Sequence, residues 1–286
     1  SPGFKCNMVY DYIRWIDPRL LNKLKLHKYG LEFITSRPLR VALDENGQHI
    51  IFHNDPSKTA TSIAPHSRED AHKWPQFTKY IKKLTLFLEQ IYQMTPPNIS
   101  EIGINDALSM STILKPMWKH GSRGLVDTIR SIPMMMPELL DEWFESELLR
   151  GSLAASGITH ITQGPYSAAT VLNFLHQHIH SNGEIHKAQY IKDGTDQFAQ
   201  ALCKVARYSG VRIRTCAPVA SINCRNGTCL GVSTSNGQSY NSKMVISGLD
   251  TANTFIKLVG TPEIPPTFQR QLKNIKYRGS TARIHY

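Results

Sequence analysis

The sequence predicts an α/β chain in two parts: a small mixed sheet decorated by many helices, then a segment ordered helix, strand, three-stranded meander, strand. Three observations predict it. Apolar residues recur at helical spacing through most of the first two-thirds. Apolar, strand-like runs broken by Asn-Gly pairs occur at 39–53 and again at 219–240. The 286 residues, 41% hydrophobic and 19% charged, hold ample core material for one large domain or two intertwined ones.

Residues 9–27 alternate Tyr10, Ile13, Trp15, Ile16, Leu20, Leu21, Leu24 and Leu26 with polar positions, as short amphipathic helices do. Asp17-Pro18 supplies a helix start, since Asp caps and Pro suits the first turn. Leu31 to Ile34 and Leu39 to Leu43 have strand chemistry, and Asn46-Gly47 turns the second of these into His49 to His53. Asp55-Pro56 opens a helix, and Ser67-Arg68-Glu69-Asp70 opens a longer one to about Met94. From 100 to 180 the pattern is mostly helical, cut into short pieces by Pro116, Pro133 and Pro137, with a last helix from Ala168 to His180.

Around 188 the character changes. Phe198, Leu202, Val205 and Ala206 keep helical spacing until Ser209-Gly210. Val211 to Arg214 reads as a short strand, followed by Val219 to Cys224, Thr228 to Thr234 and Gln238 to Tyr240, with turns at Asn226-Gly227 and Asn236-Gly237. Lys243 to Gly248 then reads as a buried strand leaving on small residues.

Several function classes are set aside by composition. No apolar run approaches the ~20 residues of a membrane-spanning helix. Ser1-Pro2-Gly3-Phe4 has no initiator Met and no basic or apolar leader, so it is not a signal peptide and reads as a chain entered partway through. The formal charge of +11 attracts nucleic acid, anionic lipid or phosphorylated ligands, or marks nothing more than a basic protein. No zinc-finger spacing or RNP motif occurs, and no basic run exceeds Lys82-Lys83, so no nucleic-acid partner is expected. The five cysteines form no CxxC pair, which fits a reducing, cytoplasmic compartment. Cys216, Cys224 and Cys229 fall in expected strands as small apolar fillers.

The second segment reads Gly194-Thr195-Asp196-Gln197, Val211 to Thr215, Ala217-Pro218-Val219, two Asn-Gly hairpins, and Met244-Val245-Ile246-Ser247-Gly248. In that order these parts resemble the later half of the flavin domain in the family of phytoene dehydrogenases, carotenoid and retinoid oxidoreductases and flavin amine oxidases. Pro2-Gly3-Phe4, Pro18 to Leu21, His27 to Glu32, Leu140 to Ser146 and Gly164-Pro165-Tyr166-Ser167 resemble the phytoene dehydrogenase-like branch. The resemblance implies a two-domain FAD/NAD(P)-binding oxidoreductase architecture: substrate domain at 1–187, second half of the FAD-binding domain at 188–260, and a truncated return to the substrate domain at 261–286. The family's Gly-x-Gly-x-x-Gly pyrophosphate cradle, its ribose-binding carboxylate and its last flavin-contacting segment do not occur in this sequence. The expectation is therefore an internal fragment of a longer enzyme, without FAD or activity by itself.

By the same resemblance, the main-chain N–H and C=O of Val219 meet the adenine of FAD, and Ser247 and Gly248 lie where small residues let the backbone approach the dinucleotide. The alternative for Val219 is the ordinary start of a buried strand. Asp193 and Asp196 stand where relatives usually have glycine. The implied chemistry is hydride transfer from an apolar polyene or lipid-like substrate to the flavin ring, which needs no catalytic side chain, and none is assigned.

Other residues invite other readings. His176, His178 and His180, with Glu184 and His186 nearby, form the densest histidine cluster; His176 and His180 are four apart, but position 177 is Gln rather than the Glu of a two-His metal helix, so a solvated helix end is expected and no metal ligand is assigned. Glu142, Glu145 and Glu147 read as a charged helix face. Leu114 to Arg123 and Ile132 to Pro137 mix Trp, Met and basic residues, which suits a lipophilic substrate mouth touching a membrane surface peripherally, or ordinary packing. A non-enzymatic lipid-binding or protein-interaction module is the competing function.

Overall fold

Asp44 folds the first hairpin: its carboxylate accepts the N–H groups of Asn46 (2.9 Å) and Gln48 (2.7 Å) while Gly47 takes φ +77°. In this computed structural model, which describes residues 7, 12–35, 39–93, 126–127, 129–277, 279, 282 and 284, the described residues form two units: the second is Ala206–Gly279, and the first holds the rest.

In the first unit, α1 (Pro18–Leu24) starts at Asp17, whose side chain accepts the Arg19 N–H, and a 3-10 turn follows at Leu26–Tyr29. β1 (Phe33–Thr35) pairs antiparallel with the distant β4 (Gln189–Ile191), Phe33 opposite Ile191. The hairpin joins β2 (Arg40–Leu43) to β3 (His49–Phe52), with Arg40 opposite Phe52. Asp55 caps α2 (Pro56–Ile63) and Ser67 caps α3 (Arg68–Tyr92), each accepting an N–H from the first turn. α3 buries Asp70, Trp74, Phe77, Thr78, Ile81, Leu84, Thr85 and Leu88, a stripe at three- and four-residue spacing. Against it lie Ile50 and Phe52 of β3, Met136, Leu139 and Leu140 of α4 (Met136–Asp141), Leu149 and Leu153 of α5 (Glu147–Gly157), and Phe174 of α6 (Thr170–Gln177). Trp74, Phe77, Trp143 and Phe144 meet edge-on or tilted, with ring centroids 4.8–6.1 Å apart. A smaller cluster joins Leu26, Leu31 and Ile191 to Ala201 of α7 (Asp196–Tyr208).

The second unit is a meander, β5 (Val219–Arg225), β6 (Thr228–Thr234) and β7 (Ser239–Asn241), with β6 central. Gly231 takes φ +138°, where a Cβ would strike the Tyr240 carbonyl, so the ladder admits only glycine there. A π-helical segment (Ala252–Val259) packs on β5, and α8 (Pro266–Asn274) follows.

Several expected elements differ. Val211–Arg214 and Lys243–Gly248 are not strands; Met244 and Ile246, expected to be buried, are 72% and 90% exposed. A strand exists only where a neighbour supplies a ladder, and among the described residues these two stretches have none. The last helix of the first part stops at Gln177, with His178 capping it and His180 at φ +57°. Cys216 is an exposed bend residue rather than a strand filler, whereas Cys224 and Cys229 do lie in strands. The segment Leu114 to Arg123 lies outside the described residues. Of its methionine-rich neighbour, Met136 is fully buried and Met134 packs on the core.

Candidate functional site

Val219 begins β5, the edge strand of the meander, opposite Thr234, and its side chain is 40% exposed. The start of a strand is therefore correct for it, and burial is not. The preceding Pro218 carbonyl accepts the Ser235 N–H at 2.9 Å, which fixes the entry to the edge. Ser247 and Gly248 lie in the turn leading into the π-helical segment that packs on β5. The Ser247 hydroxyl meets Thr254 Oγ1 at 2.8 Å and accepts the Leu249 N–H at 3.2 Å. Asp250 accepts the Asn253 N–H at 2.9 Å, and this hydrogen bond holds its carboxyl below the usual range. A Cβ at Gly248 would touch nothing within 4 Å, so a ligand could approach the backbone there. The strand edge at Val219 and the backbone at Gly248 are thus both open, and no phosphate cradle accompanies them among the described residues.

Asp193 lies in the turn before α7, and Asp196 is the helix's first residue. Asp193 takes φ +63° and Gly194 φ +99°. Asp tolerates the left-handed region better than most residues, so the turn forms with Asp193 in place. The Thr195 N–H and hydroxyl both donate to Asn7 Oδ1 at 3.0 Å.

The histidines part company. His176 Nδ1 lies 3.1 Å from the Tyr92 hydroxyl, whereas His180 meets Glu89 through its backbone N–H (2.7 Å) and ring (3.4 Å). Among the described residues no group of three or more His, Cys, Asp or Glu could hold a metal ion. Glu142 pairs with Arg130, Glu147 with Arg150, and Glu145 accepts the Ser67 hydroxyl, which makes them surface and capping groups. Asp70, fully buried, accepts the N–H groups of Glu145 (3.0 Å) and Ser146 (2.8 Å), tying the start of α3 to the start of α5.

Two members of the histidine cluster, expected at a solvated helix end, are instead buried in the first unit. His178 and His186, 1% and 2% exposed, stand with ring centroids 5.7 Å apart. His178 Nδ1 lies 2.7 Å from the Phe174 carbonyl, and His186 Nδ1 lies 3.3 Å from both Arg40 Nη1 and Ser156 Oγ. Burial pulls the His178 pKa down to about 3 and that of His186 well below its usual value, so both rings are neutral. The available signal was the spacing of His178 four residues after Phe174 and beside Ile179, which puts it on the apolar face.

Comparison with known proteins follows this geometry. Residues 19–285 match the family of flavin containing amine oxidoreductases. The chain is 22% identical over 302 residues to pyridine nucleotide-disulfide oxidoreductase domain-containing protein 2 of Rattus norvegicus, covering 99% of this chain and 52% of the relative. It is 25% identical over 216 residues to 4,4'-diaponeurosporene oxygenase of Staphylococcus haemolyticus, covering 75% of this chain and 39% of the relative. Among solved structures, the PF1083 protein of Pyrococcus furiosus matches with a TM-score of 0.50 at 14% identity, over 94% of this chain and 53% of that one, a likeness of fold. The chain spans about half the length of the curated Rattus norvegicus and Mus musculus relatives it matches. The match over 19–285 carries the α/β flavin-oxidoreductase fold class expected from the sequence, and by it this chain belongs to the flavin containing amine oxidoreductase family.

Proposed function

We propose that this chain is part of an FAD-dependent oxidoreductase of the phytoene dehydrogenase-like branch, acting on an apolar polyene or lipid-like substrate. The observation that carries the reading is the family match across residues 19–285. Similarity to an enzyme named as a diaponeurosporene oxygenase favours the polyene branch over amines. Bound FAD would supply the ring that accepts hydride. This chain's part is to hold the nucleotide end: the backbone at Val219 against the adenine, and the open turn at Ser247-Gly248 along the dinucleotide. The helical core of the first unit supplies a rigid, water-excluding wall for the substrate. Peripheral contact with an anionic membrane surface belongs to the same reading, motivated by the +11 charge and the apolar substrate. Among the described residues no helix is long and apolar enough to cross a membrane.

The test is to purify both the full-length protein containing this sequence and the 286-residue chain, and to record the flavin absorbance of each. The longer protein is expected to be yellow and to oxidise or saturate a polyene, and the shorter chain to be colourless. A colourless longer protein refutes the flavin reading; a yellow one that turns over amines and leaves polyenes untouched refutes the substrate class.

A further inference from the structure

A cleft in the first unit has no part in the flavin reading. Its volume is about 410 Å³, within the ~300–1,000 Å³ of small-molecule sites. Three segments wall it: the stretch from Asn54 to the start of α2, one face of α3, and the turn at 182–184 before β4. Gly183 takes φ +84°, and a Cβ there would lie 3.1 Å from both the Thr78 carbonyl and the Lys82 Cβ. Glycine thus lets the turn rest directly on α3 and form the side of the cleft.

Charge singles out the α3 wall. Lys79 and Lys82 are three residues apart and both line the cleft, which puts their Cβ atoms about 5–6 Å from each other on one helix face. Other lysines of α3 have acidic partners, Lys73 with Glu69 and Lys83 with Asp127, each at 3.3 Å. Among the described residues no carboxylate pairs with Lys79 or Lys82. The acid opposite them, Glu184, is already balanced: its Oε2 lies 3.0 Å from Lys187 Nζ and accepts from Asn54 Nδ2 at 3.4 Å. Asp55, beside the wall, accepts the Ser57 N–H at 2.9 Å as the cap of α2. The cleft therefore holds two uncompensated positive charges, and an anion between them removes their mutual repulsion.

The remaining lining selects what the anion is attached to. Ser57 brings a hydroxyl, Asn54 and Asn182 bring amides, and Glu184 brings a carboxylate, so donors and acceptors both face the space. No aromatic ring lines it, so a nucleobase has nothing to stack on. Its apolar lining is proline, too little for a lipid tail.

We propose that this cleft binds the phosphate ester of a polyhydric alcohol, either a free sugar phosphate or the phosphoinositol headgroup of a lipid. The phosphate lies at Lys79 and Lys82, and the ester's hydroxyl groups hydrogen-bond to Asn54, Ser57, Asn182 and Glu184. This site is independent of the flavin reading, and its failure leaves that reading untouched.

The experiment has two arms on the full-length protein containing this sequence, both at pH 7 and constant ionic strength. One is a calorimetric titration with glucose 6-phosphate, glucose and inorganic phosphate. The other is co-sedimentation with phosphatidylcholine vesicles carrying equal fractions of either phosphatidylinositol or phosphatidylserine. Glucose 6-phosphate is expected to bind at least about tenfold more tightly than glucose or inorganic phosphate, each of which reaches one half of the cleft. Binding of the soluble ester identifies a free metabolite. Preference for phosphatidylinositol vesicles without binding of the soluble ester identifies the lipid headgroup. An ester no tighter than inorganic phosphate, together with equal sedimentation of the two vesicles, overturns the proposal. Lys79→Gln and Lys82→Gln remove side chains outside the core and should each weaken binding about tenfold. Lys23→Gln loses the same charge from the exposed face of α1 and should leave binding unchanged. An equal loss in all three variants would reduce the effect to net charge and overturn the site.

Discussion

Phe77 and Ile246 are both large apolar residues in the middle of elements expected to be buried, yet Phe77 is fully buried and Ile246 is 90% exposed. The contrast holds across the two units. The first packs Phe52, Trp74, Phe77 and Phe174 at 2% exposure or less. Among the described residues of the second, Ile222, Ile264 and Leu272 are the buried large apolar side chains, while Met244, Ile246 and Leu249 lie open to solvent. The first unit is thus held by side-chain packing, and the second mainly by the ladders of its meander.

The largest expected effect follows from that contrast. Phe77→Ala should cost about 3–5 kcal/mol, read by urea unfolding through tryptophan fluorescence. The probe is selective, because all four tryptophans precede residue 206. Ile246→Ala, read by amide exchange in the second unit because all four tryptophans lie in the first, should cost under about 0.5 kcal/mol as an exposed change. A cost for Ile246→Ala approaching that of Phe77→Ala would show that it is covered in solution and would erase the distinction between the units.

In the second unit, the most sensitive position is a backbone one. Gly231→Ala puts a side chain at φ +138° against the Tyr240 carbonyl, a strain of about 1–3 kcal/mol. Amide exchange should accelerate across β5–β7 while the α3 amides keep their protection. Accelerated exchange in α3 would mean that the units unfold together.

Acid separates the units more gently. His178 and His186 are neutral when folded, with His178 near 3 against an unfolded value of about 6.5. The unfolded chain therefore binds protons that the native one excludes, and stability falls as pH drops from about 6.5 towards 3. His178 contributes about 1.4 kcal/mol per pH unit in that window, and His186 adds to the fall in the same direction. Urea midpoints of the first unit between pH 7 and 4.5 should show this slope, and His178→Asn should reduce it. An unchanged slope in the variant would place His178 in contact with water.

These differences explain what could be read from the chain alone. The hairpins at 39–53 and 219–240 were legible because Asn-Gly turns and alternation are local signals. The stripe of α3 was legible because it repeats over 25 residues. Val211–Arg214 and Lys243–Gly248 misled because strand composition is local while a ladder belongs to two segments. Family membership came through in the order of weak motifs. The geometry around Val219 and Gly248 did not, since exposure depends on what covers a surface. The histidine cluster was legible as a group but its burial was not, because Arg40, Ser156 and His186 meet from segments up to 146 residues apart.

The smallest effect tests whether the second unit's register is as firm as the first unit's packing. Asn226 and Gly227 take φ +49° and +74°, the two-residue turn whose twist matches a hairpin. Arg225 opposite Thr228 closes it, so the next pair, Cys224 opposite Cys229, falls at a non-hydrogen-bonded position beside an irregularity, where the register shifts between Asn223 and Cys224 and leaves Leu230 without an opposite residue. Such pairs have Cα atoms about 4.5 Å apart, inside the ~4.4–6.8 Å that a disulfide spans. Both thiols are free and partly buried, and burial pushes the Cys224 thiol up, so reaction should be slow. With the other three cysteines replaced by serine, oxidised glutathione should convert the pair to an intramolecular disulfide, its sulfurs giving up two protons and two electrons to yield two molecules of reduced glutathione. Mass spectrometry should show the loss of two hydrogens. The gain in stability should be about 1 kcal/mol, small because the closed loop is short. Mixed glutathione adducts that never resolve would show a slip of one residue, with Leu230 opposite Cys224 and the alternating faces of β6 exchanged.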